Sequence, residues 1–158
     1  RSKTIKVTIE FEITQAEILD ASIGASQFQW IFAIKDYDSP TNNYFWFNIT
    51  LFDDRYQDEL FEGMQHFDSG KQDATGKFIY SPKGNLYLDE PVVPNKKYLV
   101  EKDFKPLMIE AFEAAKGKGA LQNSRLESMA LTSLNIGWEV SNLAKVGLKI
   151  TRLSLQVS

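Results

Sequence analysis

The sequence predicts a mainly-β protein that folds as an antiparallel β-sandwich with one helix near residues 104–116. Three observations favour this class. Apolar and polar residues alternate along several stretches, which is typical of strands with one buried face. Turn residues separate these stretches at short intervals, and only one segment has helical character. A chain of 158 residues is long enough to bury one hydrophobic core, so residues 1–158 are predicted to form a single β-sandwich domain.

The first three predicted strands show the clearest alternation. In IKVTIEFEI, residues 5–13, every second residue is apolar and the others are Lys, Thr or Glu. FQWIFAIK, residues 28–35, has one fully apolar side and reads as a more buried strand. YFWFNITL, residues 44–51, places two phenylalanines on the side predicted to face the core. Shorter strands are predicted at residues 77–81 and 85–89.

The C-terminal region contains two more predicted strands, at residues 134–140 and 146–157. In the last strand the apolar parity slips by one residue around Thr151 and Arg152, which predicts a β-bulge. The alternating strands together predict one core shared by two sheets. Its predicted members are Ile9, Phe11, Trp30, Phe32, Phe47, Ile49, Trp138, Leu148 and Leu155.

One segment, DFKPLMIEAFEAAKGKG, breaks the strand pattern. Asp103 is placed to cap a helix, Pro106 suits its first turn, and glycines follow Lys116. An apolar stripe on this helix is predicted to pack on the sandwich or to cover an open end of it. Residues 68–77 and 90–97 are predicted loops.

Parts of the chain resemble the jelly-roll β-sandwiches of carbohydrate-binding modules and lectin-like domains. The resemblance is carried by the alternating first strand, the aromatic stretch YFWFNITLFDD and the closing stretch VGLKITRLSLQV. It implies a jelly-roll-like sandwich in which the closing strand pairs with the first one. It also implies that the partner of the protein is a polysaccharide or an oligosaccharide.

Composition excludes several other classes. The net charge is −3 and the basic residues are scattered, so no nucleic-acid-binding surface is predicted. No apolar run approaches the roughly 20 residues that span a bilayer, so no membrane partner is predicted. The absence of cysteine excludes disulfides and fits either a cytoplasmic or an extracellular protein. Because the chain starts at Arg1, we interpret it as a mature or excised portion of a longer precursor. We expect the protein to be secreted or on the cell surface, with a cytoplasmic location as the alternative.

The middle strand carries the candidate ligand surface. Opposite its core-facing phenylalanines lie Tyr44, Trp46, Asn48 and Thr50. An aromatic ring stacks on the apolar C–H face of a sugar, while planar polar groups bind the sugar hydroxyls. The alternative is that both rings pack beneath the helix or a loop.

Four further residues are candidates for the same surface. Arg55 offers a planar hydrogen-bonding group and Tyr56 another ring, although paired charges at a strand end are commonly a solvated turn. Asn135 and Glu139 lie on the side of their strand opposite its apolar residues. They contact ligand if that side is continuous with the aromatic one.

A short oxygen-rich loop, DYDSPTNN, is a candidate calcium site through Asp36, Asp38 and Asn42. It lacks the glycine and the distal glutamate of an EF-hand loop. The competing interpretation is an ordinary turn, since Asp, Ser, Pro and Asn all favour turns. No other cofactor is predicted.

We therefore predict a non-catalytic carbohydrate-binding domain of a secreted polysaccharide-processing protein. The sequence contains no nucleophile elbow, phosphate loop or dinucleotide-binding motif. Two alternatives stay open, and one of them is a structural interaction domain. The other is a small glycan-active enzyme, a glycoside hydrolase or lyase, with an acidic pair drawn from Asp53, Asp54, Glu62 and Glu139.

Overall fold

A computed structural model describes residues 2–158 as two sheets packed face to face. One α-helix follows strand β6 in the described chain. The elements are β1 (Ile5–Asp20), β2 (Ser26–Asp36), β3 (Tyr44–Asp53), β4 (Met64–Phe67), β5 (Phe78–Ser81), β6 (Lys97–Asp103), α1 (Lys105–Gly117), β7 (Met129–Val140) and β8 (Leu143–Val157). The predicted mainly-β sandwich with one helix is confirmed.

The two sheets differ in size and in strand direction. The smaller sheet has the order β6-β1-β8, and the larger has the order β4-β5-β3-β2-β7. Paired strands are antiparallel except for β3 and β5, which are parallel, so the larger sheet is mixed. The closing strand β8 pairs with β1, as the resemblance to jelly-roll domains implied.

Alternation along the strands places aromatic and aliphatic side chains between the sheets. Phe11 of β1 and Phe28 of β2 lie with 5.5 Å between their ring centroids, so this pair joins the two layers. Most of the predicted core is confirmed. The predicted residues that are almost fully buried are Ile9, Phe11, Trp30, Phe32, Phe47 and Ile49.

Helix α1 covers the sandwich beside β3 and β5. The N-cap of the helix is Phe104 and not the predicted Asp103, and it makes no side-chain capping bond. Asp103 lies one position earlier, and its carboxylate accepts a 3.0 Å hydrogen bond from the amide of Lys105. The apolar face of the helix joins the core through Leu107, Met108, Ala111, Phe112 and Ala115. No helix in the described part of the chain is long and apolar enough to cross a membrane.

The sequence pattern misplaces three short elements. Residues 85–89 are not a strand, because Gly84–Leu86 form a 3-10 turn. β4 and β6 were not predicted as strands. β6 begins at the last residue of the predicted loop 90–97, and its buried residues Tyr98 and Val100 alternate with exposed ones. Its short pattern is hidden by the proline-rich segment before it.

The β-bulge predicted around Thr151 and Arg152 is confirmed. Glu10 of β1 faces Arg152, but the next residue, Phe11, faces Ile150. Thr151 is therefore the extra residue on β8. The bulge keeps the apolar residues on both sides of it directed toward the core.

The side of the sandwich between β7 and β8 is open, and we call it the open side. These strands are the edges of different sheets, and each has a hydrogen-bonded neighbour on one side only. Part of the core prediction therefore needs correction. Trp138, Leu148 and Leu155 pack against the margin of the core and are only partly buried.

Candidate ligand-binding face

The candidate site lies on the outward face of the five-stranded sheet. Asn48 of β3 is paired with Ile31 of β2, and Ile31 is paired with Asn135 of β7. Directly paired residues point to the same side of a sheet, so these side chains form one row. The parallel rows are Trp46–Ala33–Ser133, Thr50–Gln29–Gly137 and Asp53–Gln27–Glu139. We call the surface made by these four rows and Tyr44 the outer face.

The outer face brings together several residues that the sequence singled out. Asn135 and Glu139 lie on the same side of the sheet as Trp46, which was the condition for their contacting a shared ligand. Two aromatic rings occupy one end of this face. Tyr44 and Trp46 meet edge to face with 5.2 Å between their centroids. Both are partly exposed, whereas helix α1 packs into the core on the other side of the sheet.

A depression of 320 Å³ opens beside the two rings. This volume is near the lower end of the range of about 300–1,000 Å³ for small-molecule sites. Its lining combines rings, hydroxyls, an amide and an amine. The lining residues are Ala33, Lys35, Tyr37, Asn42, Tyr44, Trp46, Thr132 and Ser133. The Tyr37 ring is largely exposed there, and Lys77 places its amine 4.9 Å from the Tyr44 ring centroid.

The loop between β4 and β5 supports the Trp46 ring. The indole Nε1 of Trp46 donates a 3.4 Å hydrogen bond to the Thr75 hydroxyl. The Thr75 amide and hydroxyl each donate to Asp68 at 2.7 Å. These bonds, the amide bond foremost, hold the pKa of the Asp68 carboxyl below its usual range. Asp68 therefore holds the threonine that orients the ring.

Hydrogen-bonded polar side chains fill the other end of the outer face. Gln29 donates from Nε2 to Glu139 at 2.8 Å, and Gln27 donates from Nε2 to Asp53 at 2.7 Å. The Thr50 hydroxyl donates to the Gln29 carbonyl at 3.4 Å. Each amide is thus fixed in orientation by a charged or polar neighbour.

Arg55 and Tyr56 follow β3 at this polar end. The Arg55 guanidinium donates from Nε and Nη2 to the two carboxylate oxygens of Asp53, at 2.9 and 2.6 Å. These hydrogen bonds raise the pKa of Arg55. Tyr56 packs edge-on against Phe61, with 5.4 Å between centroids. Its ring is therefore engaged in a separate contact and does not join the aromatic pair.

Asn48 is the outer-face residue with an unused hydrogen-bonding atom. It lies between the aromatic end and the polar end and is only 9% exposed. Within residues 2–158, its side-chain oxygen Oδ1 has no hydrogen-bond partner. A buried polar atom without a partner costs about 1–3 kcal/mol. A ligand hydroxyl that donates to this oxygen would remove that cost.

The acidic residues considered for catalysis differ in their surroundings. Asp54 accepts hydrogen bonds from Asn142 Nδ2 at 2.6 Å and from the first amide of β2 at 2.9 Å, so it closes a turn. Glu62 is exposed on the loop before β4. Only Asp53 and Glu139 share a row of the outer face, one on each side of β2.

The predicted calcium loop uses its carboxylates within the fold. Asp36 is buried and accepts a 2.9 Å hydrogen bond from the Asp38 amide. Asp38 forms a 2.9 Å ion pair with Arg125. Asn42 has φ 53°, a conformation that asparagine tolerates in turns. In the described chain, no three His, Cys, Asp or Glu side chains are grouped to hold a metal ion. Calcium binding by this loop stays a prediction.

Several contributors to the site were missed by sequence reasoning, among them Gln27, Gln29, Tyr37 and Lys77. The two glutamines alternate with core residues of β2, so strand parity would have identified them once β2 was placed beside β3. The tyrosine and the lysine lie outside the strands, where no periodic signal exists.

Comparison with known proteins supplies no function by similarity. The chain matches no protein-family model, no curated protein and no solved structure. The functional argument therefore depends on the geometry and chemistry of the outer face.

Proposed function

We propose that the protein is a non-catalytic carbohydrate-binding domain of a secreted polysaccharide-processing protein, and that its outer face binds the glycan. The observation that carries this proposal is the partly exposed pair Tyr44 and Trp46 beside the 320 Å³ depression. Flat rings stack on the C–H faces of sugars, and a pair of rings offers two such contacts. In the polar rows beside them, Ser133, Asn135 and Glu139 are exposed and offer partners for sugar hydroxyls.

The polar groups of the outer face fit this role in a specific way. The Oδ1 atom of Asn48 is buried and has no partner within residues 2–158, so it is a free acceptor for a ligand hydroxyl if the side chain is uncovered on binding. Glu139 and Asn135 continue the face across β2 and β7. An oligosaccharide lying along the strands would meet the rings first and then the amides and carboxylates.

Replacement of Trp46 by alanine tests the proposal. We expect glycan affinity to fall by about fivefold or more, which corresponds to loss of a stacking contact of about 1 kcal/mol. The thermal midpoint should stay close to that of the wild type, because the core side of β3 is unchanged. The ligand is first identified by affinity gels with a polysaccharide panel, and affinity is then measured by calorimetry.

Leu99→Ala provides the matched control, because Leu99 is an exposed apolar residue of the other sheet. This variant should bind glycan as the wild type does. Unchanged affinity of Trp46→Ala together with a collapse of its stability would make Trp46 a structural residue and remove the main support for the proposal.

A glycan-active enzyme is the second candidate, because Asp53 and Glu139 share one row of the outer face. The Asp53 carboxylate is fully buried and paired with Arg55, so it would have to leave that ion pair to act on a substrate. Two strand spacings separate these residues, or about 10 Å between backbones. Inverting glycosidases hold their carboxyl groups about 6.5–9.5 Å apart. Incubation with the polysaccharide panel distinguishes the candidates, since new reducing ends indicate an enzyme and retardation without product indicates a binding domain. A structural interaction domain would show neither.

A further inference from the structure

The two strands that border the open side expose apolar side chains directed toward the core. Leu134 of β7 pairs with buried Phe32, and Leu153 of β8 pairs with buried Ile9, so both point inward. Yet they remain about half exposed. The inward-directed apolar residues of these strands with exposures between 36% and 57% are Leu134, Val140, Ile150, Leu153 and Val157.

A cavity of 680 Å³ lies where the open side meets helix α1. Core residues Ile34, Phe45 and Phe112 form part of its lining, and Met129 of β7 and Val157 of β8 stand on either side. The core is therefore reachable from this side. Soluble monomers rarely leave so continuous an apolar surface uncovered.

The other two sheet edges, β4 and β6, are protected against pairing with another chain. β4 has 4 residues and β6 has 7, whereas β7 has 12 and β8 has 15. Short edge strands offer little template for pairing with another chain. Helix α1 also fills the space on the side of β3 and β5. Among the sheet edges formed by residues 2–158, only those of the open side are long and border an apolar interior.

We propose that a second copy of this chain covers the open side, with β7 of each copy paired with β8 of the other. β7 and β8 run in opposite directions, because they are joined by residues 141–142. A two-fold axis parallel to the strands, placed between the two copies, brings β7 beside β8 of the partner subunit in antiparallel orientation. Each sheet then continues into the partner, and the two apolar interiors join.

The charges on the two edges favour this arrangement over pairing of each strand with itself. Every charged residue of β8 is basic, namely Lys145, Lys149 and Arg152, and the one charged residue of β7 is Glu139. Pairing β8 with β8 would place cations beside cations, which is unfavourable. A two-fold axis parallel to the strands does not change the position of a residue along the strand direction. Glu139 therefore approaches Lys145 of the partner subunit, since both lie close to the connection at residues 141–142.

The size of the open side fits a stable dimer. A 12-residue strand is about 40 Å long, and two sheets about 10 Å apart present an edge about 20 Å wide when strand width is included. This gives roughly 800 Å² per partner, the standard size of a specific protein interface. The surface is thus neither too small nor too polar to hold a second copy.

Sedimentation equilibrium from about 1 to 100 µM tests the proposal, since dimers form by mass action. We expect a mass of twice 18.0 kDa for the wild type. Leu134→Lys and Leu153→Lys each place a charge in the interface and should give monomers at concentrations where the wild type is dimeric. Leu99→Lys, an equally exposed leucine on β6, is the matched control and should stay dimeric. A wild type that is monomeric at every concentration overturns the proposal.

Disulfide cross-linking tests the pairing without disturbing the interior. The chain has no cysteine, so Glu139→Cys and Lys145→Cys each introduce a unique thiol. The two variants, one of them tagged, are mixed and oxidised. We expect the mixed disulfide to exceed both self-linked products by at least several-fold. Predominant linkage of Glu139→Cys with itself would mean that β7 pairs with β7, which contradicts the proposed arrangement.

Discussion

The two faces of strand β3 carry side chains of similar type in opposite environments. On the core side, Phe45, Phe47 and Ile49 are almost fully buried. Phe47 alone has ring neighbours in β2, in β5 and just before α1. On the outer side, Tyr44 and Trp46 contact each other and remain partly exposed. The Lys77 amine lies over the Tyr44 ring, and Trp46 donates a hydrogen bond to the Thr75 hydroxyl.

The position of a residue in the alternation of β3 decides whether its side chain stabilises the core or stays available for the proposed ligand. Adjacent residues of one strand point to opposite sides of the sheet. The phenylalanines remove apolar area from water, whereas the outer rings keep area free for a partner. A slip of one residue would exchange the two sets, so the register of β3 with β2 is strongly specified.

The largest expected effect is that of Phe47→Ala. Removal of a buried ring that contacts several others should lower the free energy of unfolding by about 3–5 kcal/mol. Urea denaturation of wild type and variant, compared at constant slope, measures the change. A loss below about 1 kcal/mol would mean that the core and outer faces of β3 have been exchanged. Phe47→Leu should cost less, because it leaves a smaller cavity.

A smaller effect is expected from Asp53→Asn at the polar end of the outer face. The Asp53 side chain is fully buried and accepts from Arg55 and Gln27. Asparagine has the shape of aspartate, but it lacks the charge and has only one acceptor oxygen instead of two. Because Arg55 is half exposed and screened by water, we expect a loss of about 1–2 kcal/mol.

Denaturation at low and at high salt measures this loss and assigns its cause. The difference between wild type and Asp53→Asn should shrink at high salt if the ion pair with Arg55 dominates. Asp58→Asn, an exposed change in the same turn region, is the control and should have little effect. A loss as large as that of Phe47→Ala would show that the polar end is as important to the fold as the core.

The sequence allowed the strands with strict alternation to be predicted, since burial of one face dictates that pattern. The parity slip at Thr151 and the helix signal at Pro106 were local and therefore readable, although the cap lies at Phe104 and not at Asp103. β4 and the open side were not predictable in the same way. A four-residue strand has too few alternations, and exposure of Leu134 depends on which strand lies next to β7.

The candidate site was predictable where it follows from parity within a strand. Trp46, Asn48 and Glu139 were placed on outward positions without knowledge of the fold. The hydrogen bonds that hold them were not, because each joins residues far apart in the chain. Thr75 contacts Trp46 across 29 positions, and Gln29 contacts Glu139 across 110. Such contacts follow from sheet order, which alternation does not specify.

The smallest expected effect concerns the support of Trp46 by Asp68. Hydrogen bonds from Thr75 hold the pKa of Asp68 below its usual range, so the folded state favours the carboxylate. The free side chain has a pKa of about 3.9. The contribution of Asp68 is therefore fully present above about pH 4 and is lost as the pH falls through the folded-state pKa. Below that pH, the hydrogen bonds from Thr75 to Asp68 lose their charge assistance and weaken, so the Trp46 ring is held less firmly.

The indole N–H resonance of Trp46, assigned by its absence in Trp46→Phe, reports this change by NMR. In the wild type it should move as the pH falls below about 4. In Asp68→Asn it should already lie near the low-pH position at neutral pH and should stay there. Asp73→Asn changes an exposed carboxylate of the same loop and should leave the wild-type titration intact. Persistence of the titration in Asp68→Asn would assign it to another group and would separate the orientation of the ring from this loop.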